Sequence, residues 1–247
     1  MPYREVSIPT PDGDARAFAF HPLGQGPWPA IMFYMDAPAI RPALFTMCER
    51  LAGHGYYVLL PDMFWRAGPY EPIDIAAVLK DEALRRSVFG KLMASTDPLK
   101  STQDTGAFLA WLSKQPQVKA NRVGVTGYCM GGGLVLRAAG NFPDRIVAAA
   151  AFHSGNLATD APSSPHLLAP TIKATVYVGG ADEDAGFPPE HAERLRNALD
   201  AAGVENTVEI YDGARHGYAP PDMPAYDEAA SERHWRELLG LFARTLG

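Results

Sequence analysis

The stretch that decides the fold is Val123-Gly124-Val125-Thr126-Gly127-Tyr128-Cys129-Met130-Gly131-Gly132-Gly133. A short β-branched run enters a Gly-X-Cys-X-Gly turn, and an apolar helical pattern leaves it. This order predicts a strand, a sharp turn and a helix, with Cys129 at the apex of the turn. Glycines fit on both sides because a Cβ atom there would clash as the turn closes. Cys129 is therefore a candidate nucleophile; the alternative is a small buried core residue, the usual place of a free cysteine.

The composition narrows the class of protein. The chain has 247 residues, 47% of them hydrophobic and 20% charged, with a net charge of −6. The negative charge argues against a nucleic-acid or anionic-membrane partner. No secretory signal is evident at residues 1–5, and no apolar stretch approaches the roughly 18 residues of a membrane helix. Cys48 and Cys129 are predicted to stay unbridged, which favours a reducing compartment. We expect a cytoplasmic monomer or small homo-oligomer.

Strand and helix patterns alternate along the chain. A hairpin is predicted from residues 4–8 and 15–21. Further strands, buried on both faces of a mainly parallel sheet, are predicted at 30–35, 56–60, 121–126, 147–152, 174–178 and 207–211. Helices are predicted at 41–52, 102–115, 132–139, 189–202 and 225–246. The pattern is typical of one doubly wound α/β domain covering residues 1–247.

Residues 63–100 interrupt this alternation. The segment is irregular, contains Pro69 and Pro72, and has a helical stretch around 81–93. We interpret it as an insertion over the carboxyl edge of the sheet, where open α/β folds bind their ligands.

A candidate acid and a candidate base follow Cys129 in the chain. Asp182 comes after the strand at 175–178 and His216 after the strand at 208–211, so both lie at carboxyl ends of strands. A carboxylate that accepts from the Nδ1–H of a histidine fixes its tautomer, and the histidine can then take the proton of a thiol.

Alternatives exist for both partners of the thiol. Asp184 competes with Asp182, which we prefer because it comes first after the strand. His216 could be a solvated loop histidine. His153 also follows a strand, but it is the first strand after the nucleophile helix, and that segment normally supplies core residues and not the base.

Three separated motifs now resemble a known family. Gly-Tyr-Cys-Met-Gly-Gly, Gly-Gly-Ala-Asp and Ala-Arg-His-Gly-Tyr resemble those of the dienelactone hydrolase family, whose members are cysteine-dependent and have the α/β-hydrolase fold. The resemblance extends from Met35 to the last helix. It implies a mainly parallel doubly wound sheet flanked by helices, the triad Cys129, Asp182 and His216, and hydrolysis without a cofactor. No His, Cys or carboxylate cluster has metal-ligand spacing.

The resemblance also implies roles around the thiol. In the family, a glutamate after the third strand contacts the resting thiol and helps to control its ionisation. This chain has Asp36 there, shorter by one methylene; a plain turn aspartate is the alternative. The family's oxyanion hole corresponds to the backbone N–H groups of Met130 and Ala37, since Pro38 has no N–H.

The substrate-binding residues are the least defined. The family holds a substrate carboxylate with two arginines. Arg85 or Arg86 matches the first, or belongs to a solvated helix face, and the second has no counterpart after His216. Aromatic residues near strand ends are candidates for an apolar pocket or are simply core; among them we select Trp65, Tyr128 and Tyr218.

Together these features predict a cysteine-dependent hydrolase of lactones or small carboxylic esters that acts through a thioester acyl-enzyme. Its partner would be a small-molecule ester or lactone. The alternative is a non-catalytic protein of the same fold that binds a small ligand. A redox role for Cys129 is disfavoured because no resolving cysteine is nearby.

Overall fold

An eight-stranded sheet organises the computed structural model, which describes residues 3–247. The strands are β1 Tyr3–Thr10, β2 Gly13–Phe20, β3 Trp28–Tyr34, β4 Tyr57–Pro61, β5 Val118–Tyr128, β6 Ile146–Phe152, β7 Thr175–Ala181 and β8 Asn206–Tyr211. Their order in the sheet is β1-β2-β4-β3-β5-β6-β7-β8. The first hairpin is antiparallel, as is the pair β2–β4, and all other pairs are parallel. The predicted mainly parallel α/β sheet is confirmed.

Helices flank this sheet. They are α1 Pro42–Gly53, α2 Ile75–Lys80, α3 Glu82–Met93, α4 Pro98–Leu112, α5 Met130–Asn141, α6 Pro189–Ala201 and α7 Glu228–Leu246, with 3-10 turns at Trp65–Ala67 and Pro165–Thr171. Strand β5 is covered on both faces because its side chains alternate. A Cβ on Gly124 would meet Phe242 of α7, and one on Gly127 would meet Gly131 of α5.

The parallel register brings several strand ends to one edge. Tyr34 of β3 pairs with Gly127 of β5, and Tyr128 of β5 pairs with Phe152 of β6. Further along the sheet, Ala181 of β7 pairs with Tyr211 of β8. The residues that follow these strands, including Cys129 and the loops carrying the candidate acids and His216, therefore meet above the same edge.

Several boundaries differ from the prediction, and two of these differences bear on the site. Helix α5 begins at Met130, directly after Cys129, and β7 continues to Ala181, three residues beyond the predicted end at Val178. The glycines at 179 and 180 did not end the strand because the neighbouring strands pair with them.

The segment 63–100 is helical and irregular, as predicted, and contains α2 and α3. Only Val78 of α2 and Leu92 of α3 are buried. Among residues 3–247, no helix has the length and apolar character needed to cross a membrane. Residues 1 and 2, part of the predicted domain and of the stretch searched for a secretory signal, lie outside the described residues.

Candidate active site

Cys129 occupies a sharp turn between β5 and α5. Its φ of 54° and ψ of −116° are rarely adopted by a residue with a side chain. A Cβ on Gly127 would lie 2.4 Å from the carbonyl oxygen of Gly131, and one on Gly131 would lie 2.6 Å from that of Tyr34. The predicted need for glycine on both sides of the cysteine is confirmed.

The start of α5 determines what surrounds the thiol. Because the helix begins at Met130, the N–H of that residue has no acceptor within the helix, and the positive end of the helix dipole lies beside Cys129. A Cβ on Gly132 would sit 1.9 Å from Ser154 Oγ, so this first turn also packs tightly on the loop after β6. Cys129 itself is half-buried and free.

His216 binds a carboxylate and feels the charge of the nearby thiol. Its Nδ1 lies 2.6 Å from Asp184 Oδ2, with the His216 side chain 38% exposed and that of Asp184 10% exposed. Burial lowers the pKa of His216, but its hydrogen bonds with Asp184 and with Cys129 outweigh burial and raise the pKa to about 10. Burial raises the pKa of Asp184, yet the hydrogen bonds from His216 and from the Gly186 N–H bring it below its ordinary value.

The prediction that Asp182 pairs with His216 is wrong. The two oxygens of Asp182 accept from the backbone N–H groups of Glu183, at 2.9 Å, and Gly213, at 3.0 Å. Its own N–H donates to the Ala214 carbonyl oxygen at 2.7 Å. Because β7 is longer than predicted, Asp182 lies beside the histidine loop and ties it to the strand end.

The turn after Asp182 brings Asp184 to the histidine. Glu183 has a φ of 51°, which reverses the chain, and Asp184 Oδ1 accepts from the Gly186 N–H at 2.8 Å. Residue spacing could not decide which aspartate pairs with His216, because the answer depends on the left-handed backbone of Glu183.

His153 lies in the core beneath His216, as its place after β6 predicted. Its ring centroid is 5.4 Å from that of His216 and 5.1 Å from that of Tyr218. Both of its ring nitrogens are buried without a hydrogen-bond partner. Burial, with the nearby His216, holds the pKa of His153 well below its usual value. This imidazole is therefore neutral at pH 7.

Two cavities reach residues of this site. One, of about 380 Å³, is lined by residues that include His216, Asp184, Arg215 and Pro224. The other, of about 290 Å³, reaches Met130 at the start of α5. Among the described residues, no group of three or more His, Cys, Asp or Glu side chains is arranged to hold a metal ion.

Comparison with known proteins decides the family. The model of the dienelactone hydrolase family matches residues 15–246. The chain belongs to the dienelactone hydrolase family. The predictions of this family, of the α/β-hydrolase fold and of a hydrolase are thereby confirmed.

Relatives of this hydrolase match along nearly its whole length. It is 26% identical over 243 residues to a Salmonella typhi protein named "Putative carboxymethylenebutenolidase", covering 97% of this chain and 86% of the relative. A protein of the same name from Methylorubrum extorquens is 27% identical, with 96% and 79% covered.

Solved structures agree on the fold. A structure described as "Putative Dienelactone Hydrolase" from Klebsiella pneumoniae has a TM-score of 0.85 at 24% identity, with 98% of each chain covered. A dienelactone hydrolase-like promiscuous phosphotriesterase from metagenomic libraries has a TM-score of 0.80 at 23% identity, with 100% and 99% covered.

Asp36, predicted to modulate the thiol of this dienelactone hydrolase family member, belongs to an ion triad in which Asp36 and Arg41 are buried. Its two oxygens lie 2.5 and 2.9 Å from Arg41, and Arg41 also binds Asp222 at 2.7 and 3.1 Å. Asp36 is 1% exposed and its carboxylate is held by a cation. Both oxygens of Asp36 are thus bound by Arg41, and a contact of Asp36 with Cys129 stays a prediction.

Sequence reasoning missed Arg41 and Asp222. Arg41 was assigned to a helix, but it precedes α1 with an extended backbone, φ −160°. The available signal was Pro42, which fits the first helical position and leaves the residue before it extended.

Arg85 and Arg86, predicted to bind a substrate carboxylate, are both exposed on α3. Arg86 lies 3.6 Å from Glu82, one turn away on the same helix. Neither lines the two cavities that reach the site. The alternative of a solvated helix face describes them better.

The three selected aromatic residues do not line a common cavity. Tyr128 and Tyr218 are fully buried, and their hydroxyls bind His234 Nε2 and the Gly179 carbonyl oxygen, both at 2.9 Å. Trp65 donates to Asp104 at 3.1 Å and lines a separate cavity of about 190 Å³. Full burial of Tyr128 and Tyr218 contradicts their predicted substrate contacts, whereas a substrate contact of Trp65 stays a prediction.

Proposed function

We propose that this protein hydrolyses lactones or small carboxylic esters by covalent catalysis at Cys129, with His216 as base and Asp184 as the residue that orients it. The observation that carries the proposal is that His216 Nδ1 lies 2.6 Å from Asp184 Oδ2, while Cys129 at the turn between β5 and α5 is near enough to help raise the pKa of the same imidazole. The names of the relatives, carboxymethylenebutenolidases, support an ester or enol lactone as substrate.

Acylation is the first step. His216 takes the proton of Cys129, and Sγ attacks the carbonyl carbon to form a C–S bond. The C–O bond to the leaving group then breaks, and His216 passes its proton to the departing oxygen. The raised pKa of His216, about 10, favours the imidazolium that this transfer needs.

Deacylation reverses the roles. His216 takes a proton from water, the water oxygen bonds to the thioester carbon, and the C–S bond breaks. The thiolate regains its proton from His216, and the carboxylic acid leaves. No cofactor enters either step.

The oxyanion would be held by the backbone N–H groups of Met130 and Ala37. Met130 is the first residue of α5, with its N–H free of helical bonding. A Cβ on Gly131 would lie 2.6 Å from the Tyr34 carbonyl oxygen, so the end of β3 passes close to the first turn of α5. This proximity supports a second oxyanion donor from the loop that follows β3. One such donor contributes roughly 3–4 kcal/mol to lowering the barrier.

Turnover of p-nitrophenyl acetate tests the proposal. Cys129→Ala and iodoacetamide labelling should each abolish hydrolysis, whereas Cys48→Ala should retain it because Cys48 is buried in α1. Activity that survives loss of Cys129 would refute cysteine catalysis. Absence of both burst and turnover in the unmodified protein would favour the ligand-binding alternative.

The expected location is also part of the proposal. Both cysteines are free, which suits a reducing compartment such as the cytoplasm.

A further inference from the structure

Arg41 closes the loop between β3 and α1 into a ring. It precedes α1 with an extended backbone, and its side chain reaches back over the loop to both oxygens of Asp36, at 2.5 and 2.9 Å. Its Nη1 also donates to the Ala39 carbonyl oxygen, at 3.2 Å. One guanidinium therefore binds the loop 36–41 at its start and in its middle, and belongs to the residue at its end.

The backbone inside this ring is strained. Ala39 has a φ of 65°, a left-handed conformation that a residue with a side chain adopts at a cost and keeps only where its surroundings impose it. Its N–H donates to the Asp36 carbonyl oxygen at 3.1 Å, and its own carbonyl oxygen accepts from Arg41. Arg41 thus helps to hold a turn that the backbone alone disfavours.

The ring decides which backbone N–H of the loop can serve a substrate. Pro38 has no N–H, and the Ala39 N–H is bound within the turn. Ala37 is half-buried, whereas Pro38 and Ala39 are buried, so Ala37 has the exposed surface of the three. A Cβ on Gly131 would lie 2.7 Å from the Met35 carbonyl oxygen, so this part of the loop lies beside the first turn of α5.

The other side of Arg41 binds the histidine loop. Its Nε and Nη2 donate to the two oxygens of Asp222, at 2.7 and 3.1 Å, and Asp222 follows His216 by six residues. The segment between them is fixed separately, because the Tyr218 hydroxyl donates to a carbonyl oxygen of β7 at 2.9 Å. Arg41 therefore ties the loop 36–41 to a segment that is already held on the sheet.

These contacts occupy the whole guanidinium. All five of its N–H groups have protein acceptors, and the side chain of Arg41 is 8% exposed. A substrate group would have to displace one of these acceptors in order to bind Arg41. The role of this arginine is therefore to hold the protein and not the substrate.

We propose that Arg41 is a positioning residue for the oxyanion hole, which holds the Ala37 N–H where it can act together with that of Met130. The inference rests on the proposed esterase function. A backbone donor lowers the barrier only if it is in place before the oxyanion forms, and a displacement of about 1 Å can slow a reaction by roughly 100-fold. Arg41 acts through Ala37 and not on the substrate itself.

A charge-neutral double variant, Asp36→Asn with Arg41→Gln, separates position from stability. It leaves no unpaired charge buried in the loop, so its urea midpoint should lie well above that of Arg41→Gln alone. The bidentate fork is nevertheless lost. We expect kcat for p-nitrophenyl acetate to fall by about 10–100-fold, with KM within about twofold of wild type. Arg41→Lys keeps the charge but not the fork and should give an intermediate kcat.

Asp222→Ala tests the same contact without leaving a buried charge unpaired. Asp222 is 35% exposed, and Arg41 keeps its pair with Asp36. The urea midpoint should therefore stay close to that of wild type, while kcat should fall by about tenfold as the loop 36–41 loses its tie to the histidine loop. This variant decides the proposal even if the double variant does not fold.

Arg66 offers a matched control. Like Arg41, it is nearly buried and bridges one buried and one exposed aspartate, Asp104 and Asp12. The double variant Asp104→Asn with Arg66→Gln, and the single variant Asp12→Ala, remove the same kinds of contact from another part of the protein. Both should keep the kcat of wild type.

Alkylation of Cys129 by iodoacetamide supplies a readout that needs the thiolate but no oxyanion donor. Its rate in the Asp36→Asn, Arg41→Gln double variant should match that of wild type. Asp184→Asn should slow it, because His216 then loses its carboxylate partner.

The outcomes separate the two proposals. Wild-type kcat in Asp222→Ala or in the folded double variant would overturn the positioning role, as would an equal fall of kcat in the Arg66 variants. A rise in KM at constant kcat would overturn it too, since that indicates a substrate contact. Alkylation slowed as much as turnover would show that Arg41 acts on the thiol instead. Ester hydrolysis that survives Cys129→Ala, or none in the wild-type protein, would refute the proposed function.

Discussion

Asp184 Oδ2 lies 2.6 Å from His216 Nδ1. Asp182, two residues earlier on the same loop, instead accepts hydrogen bonds from the backbone N–H groups of Glu183 and Gly213. One aspartate orients the imidazole and the other joins the loop after β7 to the histidine loop. The two carboxylates thus have separate roles.

Asparagine variants should separate these roles. Asp184→Asn removes the charge that fixes the His216 tautomer, and we expect kcat for p-nitrophenyl acetate to fall by about 10²–10⁴. Asp182→Asn should cost about 1 kcal/mol in the free energy of unfolding and change kcat only several-fold. Steady-state kinetics with urea denaturation of both variants measures this. A larger kcat loss in Asp182→Asn would contradict the assignment.

The pair of His216 with Asp184 should make stability depend on pH. The folded pKa of His216, about 10, lies above its ordinary value of 6.5, so its contribution is complete below pH 6.5 and is lost as pH rises toward 10. The pKa of Asp184 is lowered, so its contribution is lost as pH falls below about 4.

Urea denaturation of wild-type protein and His216→Asn at pH 5, 7 and 9 checks this dependence. The difference in unfolding free energy should be largest at pH 5 and smaller at pH 9. Because His216 is 38% exposed, we expect about 1 kcal/mol or less after solvent screening. A difference that grows from pH 5 to pH 9 would contradict the raised pKa.

The Arg41 triad should be a major determinant of stability. Arg41→Gln leaves the Asp36 carboxylate buried without its cation and should cost about 3–5 kcal/mol. Asp222 is 35% exposed, so Asp222→Asn should cost about 1 kcal/mol or less. The double variant Asp36→Asn with Arg41→Gln should recover much of the loss, because no buried charge remains. Urea midpoints of the three variants test the ranking; an Arg41→Gln protein as stable as wild type would disprove it.

Replacing His153 should raise stability. Its two ring nitrogens are buried without partners, and each unpaired polar group costs about 1–3 kcal/mol. His153→Phe keeps the aromatic contacts and removes the polar atoms, so we expect a gain of about 1–2 kcal/mol. Tyr218→Phe is the matched control, because it removes the hydrogen bond to Gly179 and should destabilise. A lower melting temperature in His153→Phe would indicate that the nitrogens have a partner in solution.

The glycines after Cys129 should differ in tolerance. A Cβ on Gly131 would lie 2.6 Å from the Tyr34 carbonyl oxygen, a backbone clash that should cost about 2–3 kcal/mol or more in Gly131→Ala. A Cβ on Gly133 would meet only the Pro165 side chain, at 3.9 Å, so Gly133→Ala should stabilise α5 by up to about 1 kcal/mol. Thermal unfolding of the two variants measures the contrast, and similar melting temperatures would refute it.

Much of the fold was readable from local pattern. Apolar runs at 30–35 and 147–152 identify buried strands because a parallel strand covered on both faces is apolar at every position. The sharp turn at Cys129 could be predicted for a similar reason, because the clash that requires glycine at Gly127 arises with Gly131, which is close in the chain.

What sequence alone determined about this protein is therefore the α/β architecture, Cys129 at the strand-to-helix turn and His216 after β8, since each depends on neighbouring residues. Tertiary structure alone decided that Asp184 and not Asp182 pairs with the histidine, that Arg41 holds Asp36, and that Tyr128 and Tyr218 are core. The physical reason is that hydrogen bonds between loops depend on backbone turns such as that at Glu183, with its φ of 51°. They also depend on partners far apart in the chain, which residue spacing does not identify.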